Sequence, residues 1–393
     1  MGINEMNIEA IHYESGEPIS ICIEEGVIRS IEPIRSEIPH SLDLPIVAPG
    51  LVDLQINGYA GYDFNQVPYP DKMVGEVIRK LWKEGVTSCF PTVITNSDGA
   101  IQEAMASIDL ACRQDPVVDQ GIAGIHLEGP FISPDNGARG AHNALYVKPP
   151  DWELFSRWQE ASGGRIRIIT LSPEWPNSAP FIAKCTENDV MVSIGHTSAT
   201  PEQINEAVEA GARMSTHLGN GAHLMMPRHP NYIWEQLAQD QLWSCVIADS
   251  FHLPDQVLKV VFKVKGDQAM LVSDAVSLSG LPAGTYTTHV GGSVVLTLEG
   301  KLYLAENENL LAGSAQMLLK GIEHVTNRDL AEFAVAWDMS SVRPSHLMKL
   351  PSAAGLAVGA PADLVLFRRE AGSIHLKRTM KSGNEVFLSE GKR

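Results

Sequence analysis

Apolar and polar positions alternate with period two at both ends of the chain, and the pattern changes between them. Near the start, PISICIEEGVIRSIEPI puts an apolar residue at nearly every second position on either side of a Glu-Gly turn. That is the pattern of half-buried strands joined by a tight turn. The last forty residues, including ADLVLFRREAGSIHLKRTMKSGNEVFL, read the same way. Chain ends of one domain often lie close together. The two β-rich ends are therefore expected to pair into one small β-sandwich, residues 1–48 and 355–393, with residues 49–354 as a large insert.

Inside the insert, short apolar runs alternate with helical spacing. APGLVDLQING, TSCFPTVIT, GIAGIHLEGPF, RIRIITLSPE, DVMVSIGHTSA, ARMSTHLGN, CVIADSFH and QAMLVSDAV read as strands. DKMVGEVIRKLWKEG, closed by Gly85, SDGAIQEAMASIDLACRQ, TPEQINEAVEAG and LPDQVLKVVFKVKG read as helices. Alternation of this kind implies a parallel sheet. About eight units over roughly 250 to 300 residues fit a (β/α)8 barrel better than an open sheet. No Gly-x-Gly-x-x-Gly follows the first strand, which argues against dinucleotide binding. GTYTTHVGGSVVLTLEGKLYL reads as a hairpin excursion after the last strand.

Bulk properties narrow the choice of partner. A chain of 393 residues exceeds the size at which a single core stops growing. A net charge of −17 argues against nucleic acid or an anionic membrane as a general partner. No apolar run reaches the roughly 18 residues of a membrane helix. The start of the chain lacks a basic segment and an apolar run, so no signal peptide is expected. The five cysteines, Cys22, Cys89, Cys112, Cys185 and Cys245, contain no Cys-x-x-Cys pair and read as reduced thiols of a cytoplasmic protein.

The candidate chemistry lies where the strands end. Active sites of such barrels form where strands give way to the following loops. Strand one ends in Gln55 and Asn57, strand three in His126 and Glu128, and strand five in His196. Strand six ends in His217 and Asn220, strand seven in Asp249 and His252, and strand eight in Asp274. One such residue means little, but Glu, His, His and Asp converging on one axis point to a metal site. Imidazole nitrogen and carboxylate oxygen suit zinc or ferrous iron. Two histidines and a glutamate leave a coordination position open for water, with Asp274 beside it as proton acceptor.

On these stretches, with GARGAHN and LLAGSA, the chain resembles the amidohydrolase superfamily and, within it, the N-acetylglucosamine-6-phosphate deacetylase family. The resemblance covers nearly the whole chain. It implies a TIM-like barrel with a small β-sandwich from both termini, and hydrolysis of the acetamide of an N-acetylated amino sugar. The substrate implied is N-acetylglucosamine 6-phosphate, with a different or non-phosphorylated N-acyl sugar as the alternative. It implies Glu128, His196 and His217 as metal ligands, Asp274 as acid/base, and His142 as the group polarising the acetyl carbonyl. Ala141, Asn220, Gly221, Arg228, His252, Leu311, Ala312 and Gly313 would line the substrate, with Arg228 on the phosphate. A homodimer is implied, since this arginine can reach across the family's subunit interface. Many amidohydrolases carry His-x-His at the end of strand one and hold two metals. Gln55 and Asn57 stand there instead, so one divalent ion per chain is expected, with both amides hydrogen-bonding around it. Family members usually have an aromatic residue where this chain has Gly219, and Ala-Met after the asparagine where it has Gly221 and Ala222. Those changes are expected to open volume beside the metal or the sugar.

Overall fold

The computed structural model describes residues 5–34, 43–288 and 292–390. At its centre are eight parallel strands: β1 (Leu51–Ile56), β2 (Val86–Ile94), β3 (Ile125–Glu128), β4 (Ile166–Leu171), β5 (Met191–Ile194), β6 (Met214–Ser215), β7 (Trp243–Val246) and β8 (Ala269–Leu271). Each pairs with the next in chain order. The ring closes just past β8, where Ala275 bridges Ile56. There the Asp274 N–H donates to the Gln55 carbonyl at 3.0 Å, and the Asn57 N–H to the Ala275 carbonyl at 2.8 Å. The expected (β/α)8 barrel is thus present, and its seam joins two predicted site segments.

Burial on both faces explains the continuous apolar runs. Every residue of β1 is buried, as are all residues of β2 before Ile94. Each fully buried Leu, Ile or Val contributes about 1.5–3 kcal/mol. The four helices expected from spacing are Met73–Leu81, Asp98–Gln114, Pro201–Glu209 and Asp255–Lys265. Their ends follow local chemistry. Ser97 Oγ accepts from the Ala100 N–H at 3.2 Å, Thr200 and Gln203 form a reciprocal capping box, and Gly85 adopts φ 75. Trp152–Ala161, Ser178–Glu187 and Leu318–Asn327 are also helical. The hairpin excursion is a four-stranded antiparallel sheet of Gly284–Thr288, Gly292–Leu296, Leu302–Leu304 and Asn307–Leu311. Residues 289–291 of that excursion, and residues 1–4 and 35–42 of the first β segment, lie outside the described residues.

Both ends of the chain meet in one β unit. Its strands run, edge to edge, Asn384–Leu388, Ser373–Lys381, Leu364–Glu370, Ile46–Pro49, Glu5–His12, Pro18–Glu24 and Val27–Pro33. The wings share a core of Ile8, Ile19, Ile21, Ile28, Val47, Leu364, Leu366 and Met380. The opposite face of Leu364–Glu370 packs on the barrel through Val365 and Phe367, with Phe367 stacked on Trp337 at 4.7 Å. No helix among the described residues is long and apolar enough to cross a membrane.

Asp53, fully buried in β1, also ties the seam. Its Oδ1 accepts from the N–H of Gln55 at 3.3 Å and of Ser273 at 3.2 Å, while Oδ2 has no partner. Burial pushes its pKa from 3.8 up to about 7. A carboxyl whose folded value is raised gives stability that is full below pH 4 and lost as pH rises through 7. The loss is at most about 1.4 kcal/mol per pH unit across that window. Asp53→Asn keeps the acceptor oxygen without the charge. Urea midpoints measured from pH 4 to 8 should fall with pH in the parent and fall less in the variant.

Candidate active site

At the C-terminal end of the barrel, Glu128 closes β3, and His196 and His217 each stand two residues past β5 and β6. Glu128 Oε1 lies 3.2 Å from His196 Nε2 and 3.0 Å from His217 Nε2, and the two Nε2 atoms are 3.1 Å apart. All three residues are buried, and one ligand atom from each falls within 4.8 Å of the others.

The backbone there is strained in a consistent way. His196, His217 and Asp274 adopt φ of 48, 27 and 48. Residues other than glycine rarely do so, and such conformations gather at functional sites. The strained turns swing the side chains off their strands toward the axis.

The donor set fits a cation. His196 Nδ1 is 3.0 Å from the Ala138 carbonyl, so its proton lies there and Nε2 presents a lone pair. That lone pair faces Glu128 Oε1 and the ring of His217, three electron-pair donors around one point. Burial opposes charge on Glu128, but the two imidazoles packed against its carboxylate, with His217 as the donor, outweigh it and hold the carboxyl well below its usual range. Burial also opposes charge on His217, but the Glu128 carboxylate beside it raises the imidazole to about 9. In the absence of metal the cluster therefore favours a proton on His217, and a divalent ion held there would have to displace it.

Other predicted residues join this point. Asn57 Nδ2 donates to Asp274 Oδ1 at 2.7 Å, and burial raises Asp274 to about 6. His217 and His252 pull that value down while Glu128 pushes it up, which places Asp274 in the same field. Gln55 is buried, its carbonyl on the Asp274 N–H and its side-chain nitrogen without a partner. His142 is buried edge-on against His196, with ring centroids 4.4 Å apart, and burial lowers it to about 3, so the ring is neutral. His252 Nδ1 bonds Asp249 Oδ2 at 2.7 Å. The Asn220 amide folds back on the His217 carbonyl at 3.2 Å. Gly313 sits against Val276, two residues past Asp274, just after the strand that ends at Leu311, with Ala312 between them. Ala141 and Arg228 are exposed on loops, and no bond joins either side chain to the cluster.

Two expectations change. A Cβ at Gly219 would meet Leu253 Cδ2 at 2.8 Å, and one at Gly221 would meet the His196 ring at 2.5 Å. The space expected from the two glycines is thus filled by a leucine and by a ligand-type histidine. His126, equal to Glu128 as a strand-end candidate, lies one layer deeper. Its ring nitrogens bond the Leu54 carbonyl at 3.0 Å and Thr170 Oγ1 at 2.7 Å, and burial lowers it to about 4. It is a neutral core residue. Sequence reasoning missed Thr95, whose Oγ1 is 2.8 Å from His142 Nδ1, and gave no role to Asp249 behind His252. The only signal for either is position at a strand end.

A barrel with polar strand ends, a Glu-His-His cluster and an adjacent aspartate describes a metal-dependent hydrolase, and comparison agrees. The model of the amidohydrolase family matches residues 46–386, and the chain belongs to that family. Over 379 residues it is 30% identical to the N-acetylglucosamine-6-phosphate deacetylase of Bacillus subtilis (strain 168), covering 94% of this chain and 93% of that one. The crystal structure of the N-acetylglucosamine-6-phosphate deacetylase from Thermotoga maritima is 27% identical, with a TM-score of 0.84 over 98% of this chain and all of that one. A Mycobacterium smegmatis deacetylase variant in complex with N-acetyl-D-glucosamine-6-phosphate matches the fold at 24% identity. Its TM-score is 0.83, over 97% of this chain and 99% of that one.

Proposed function

We propose that this chain hydrolyses N-acetylglucosamine 6-phosphate to glucosamine 6-phosphate and acetate. The observation that carries the reading is the convergence of Glu128, His196 and His217 beside Asp274, in a chain that aligns along most of its length with deacetylases. One divalent ion, zinc or iron, would be held by those three residues, since Gln55 and Asn57 are amides and poor ligands beside imidazole. Bound there, the ion supplies Lewis acidity to the acyl oxygen and to the attacking water.

The chain's own groups do the rest. Asn57 holds Asp274 Oδ1, which leaves Oδ2 to take the proton of the attacking water. Asp274 then returns the proton to the departing sugar nitrogen. Neutral His142 donates to the acyl oxygen as negative charge develops on it. Ala141, Asn220, Gly221, His252, Leu311, Ala312 and Gly313 line the sugar and its acyl group, and Arg228 grips the phosphate. A homodimer would bring Arg228 to the neighbouring site. Its loop supports this, since it also carries Leu224 and Met225, both 89% exposed. The β-sandwich of 1–48 and 355–393 would be a support for the barrel of 49–354. Five unpaired thiols fit a cytoplasmic setting.

Acetate release across N-acetylhexosamines and their 6-phosphates, with elemental analysis, tests the reading. The phosphorylated glucosamine derivative should be preferred, and equal rates with and without phosphate would remove Arg228 from its role. Arg228→Ala should lower kcat/KM by about 10- to 150-fold on the phosphorylated sugar, the size of a charge-assisted contact. On the unphosphorylated sugar it should change little.

A further inference from the structure

Thr95 follows β2 directly and is buried with 5% exposure. Its hydroxyl stands between two parts of the site. Oγ1 is 2.8 Å from His142 Nδ1 and 3.5 Å from the carbonyl oxygen of Glu128. Gly129, with φ +82, leaves room for it: a Cβ there would stand 2.2 Å from the threonine oxygen. The hydroxyl is therefore confined to these two neighbours.

A hydroxyl has one proton, and a neutral imidazole has one. If His142 donated from Nδ1, the threonine proton would be left with the carbonyl at 3.5 Å, the outer limit of a hydrogen bond. A buried O–H so poorly matched costs about 1–3 kcal/mol. If Thr95 donates to Nδ1, the 2.8 Å contact is a full bond and only a spare oxygen lone pair goes unused. We infer that Thr95 is a positioning residue: its hydroxyl donates to His142 Nδ1 and so fixes the ring proton on Nε2. Only that tautomer can donate a hydrogen bond to the acyl oxygen while Nδ1 stays bonded to the protein. The other tautomer would present a lone pair to a carbonyl oxygen and repel it. The inference rests on the proposed role of His142 in amide hydrolysis.

The test has two independent parts. In protein labelled with ¹⁵N-histidine, with His142→Gln used to assign the signal, the wild-type ring should show a proton on Nε2 and an unprotonated Nδ1. A wild-type ring protonated on Nδ1 overturns the inference whatever the activity, and needs no variant to fold. Thr95→Val keeps the shape and removes the donor. It should lower kcat on N-acetylglucosamine 6-phosphate by about 10- to 100-fold, as loss of an orienting partner does. KM should stay within about twofold, because the interaction forms in the transition state. Metal content should match the wild type, and the melting temperature should fall by no more than the few degrees that loss of one buried hydrogen bond produces. Thr95→Ser restores the donor and should return kcat to within about threefold. A valine variant with wild-type kcat, or a serine variant as poor as valine, sinks the idea. Absence of deacetylation in the wild type would overturn the functional reading instead, and the ring signal would still report the tautomer.

Discussion

Asp274→Asn is expected to lower kcat by about two to four orders of magnitude, the range assigned to a general acid–base group. The substitution is chosen because it removes one property only. Asparagine is isosteric, can still accept from Asn57 Nδ2, and tolerates the left-handed backbone at this position, where φ is 48. Glu128, His196 and His217 are untouched, so metal content should not change. What disappears is the oxygen that carries a proton between water and the sugar nitrogen. The pH profile of the parent should carry the same signature. Burial raises Asp274 to about 6, and only its ionised form accepts a proton. kcat/KM should therefore fall as pH drops through that value, with a limb absent from the residual rate of the asparagine variant. Steady-state kinetics and elemental analysis on both proteins check this. An asparagine variant with near-parental turnover would end the assignment.

Much of this site is legible in the chain because barrel strands are apolar until they end. A polar residue just past an apolar run is costly inside and useful at the rim, so Glu128, His196, His217 and Asp274 stand out from pattern alone. The backbone strain at His196, His217 and Asp274 does not, since nothing in GHT, THL or SDA marks a left-handed residue. His126 shares the parity of Glu128 and is indistinguishable from it in sequence. Only depth separates them, and depth depends on the Leu54 carbonyl and Thr170 of other strands. Thr95 reads as an ordinary strand residue, since threonine favours strands for its shape. The β-rich ends are equally legible as strands, but their union through Ile46–Pro49 depends on pairs such as Leu364 with Pro49, over three hundred residues apart. The glycines at 219 and 221 mislead for the same reason: space is decided by neighbours from other loops, Leu253 and His196.

Glu128→Gln should abolish metal retention and lower turnover at least about a thousandfold, more than the loss of a single oxyanion donor usually costs. Glu128 is the only anion in the cluster, and its Oε1 lies within 3.2 Å of both histidine nitrogens. A neutral amide leaves two lone-pair nitrogens and a weak carbonyl donor, a poor match for a divalent ion. The same carboxylate raises His217 to about 9 when no ion is present. Metal must then displace a proton, so each ion bound near neutral pH should release about one proton, and affinity should weaken as pH falls. Chelator-stripped parent protein, titrated with zinc or ferrous iron at pH 6 and pH 8 in weak and strong buffers, reads both quantities. Binding that is equally tight at the two pH values would show that the imidazole and the ion do not compete. The ion would then sit elsewhere than between Glu128 and the two histidines.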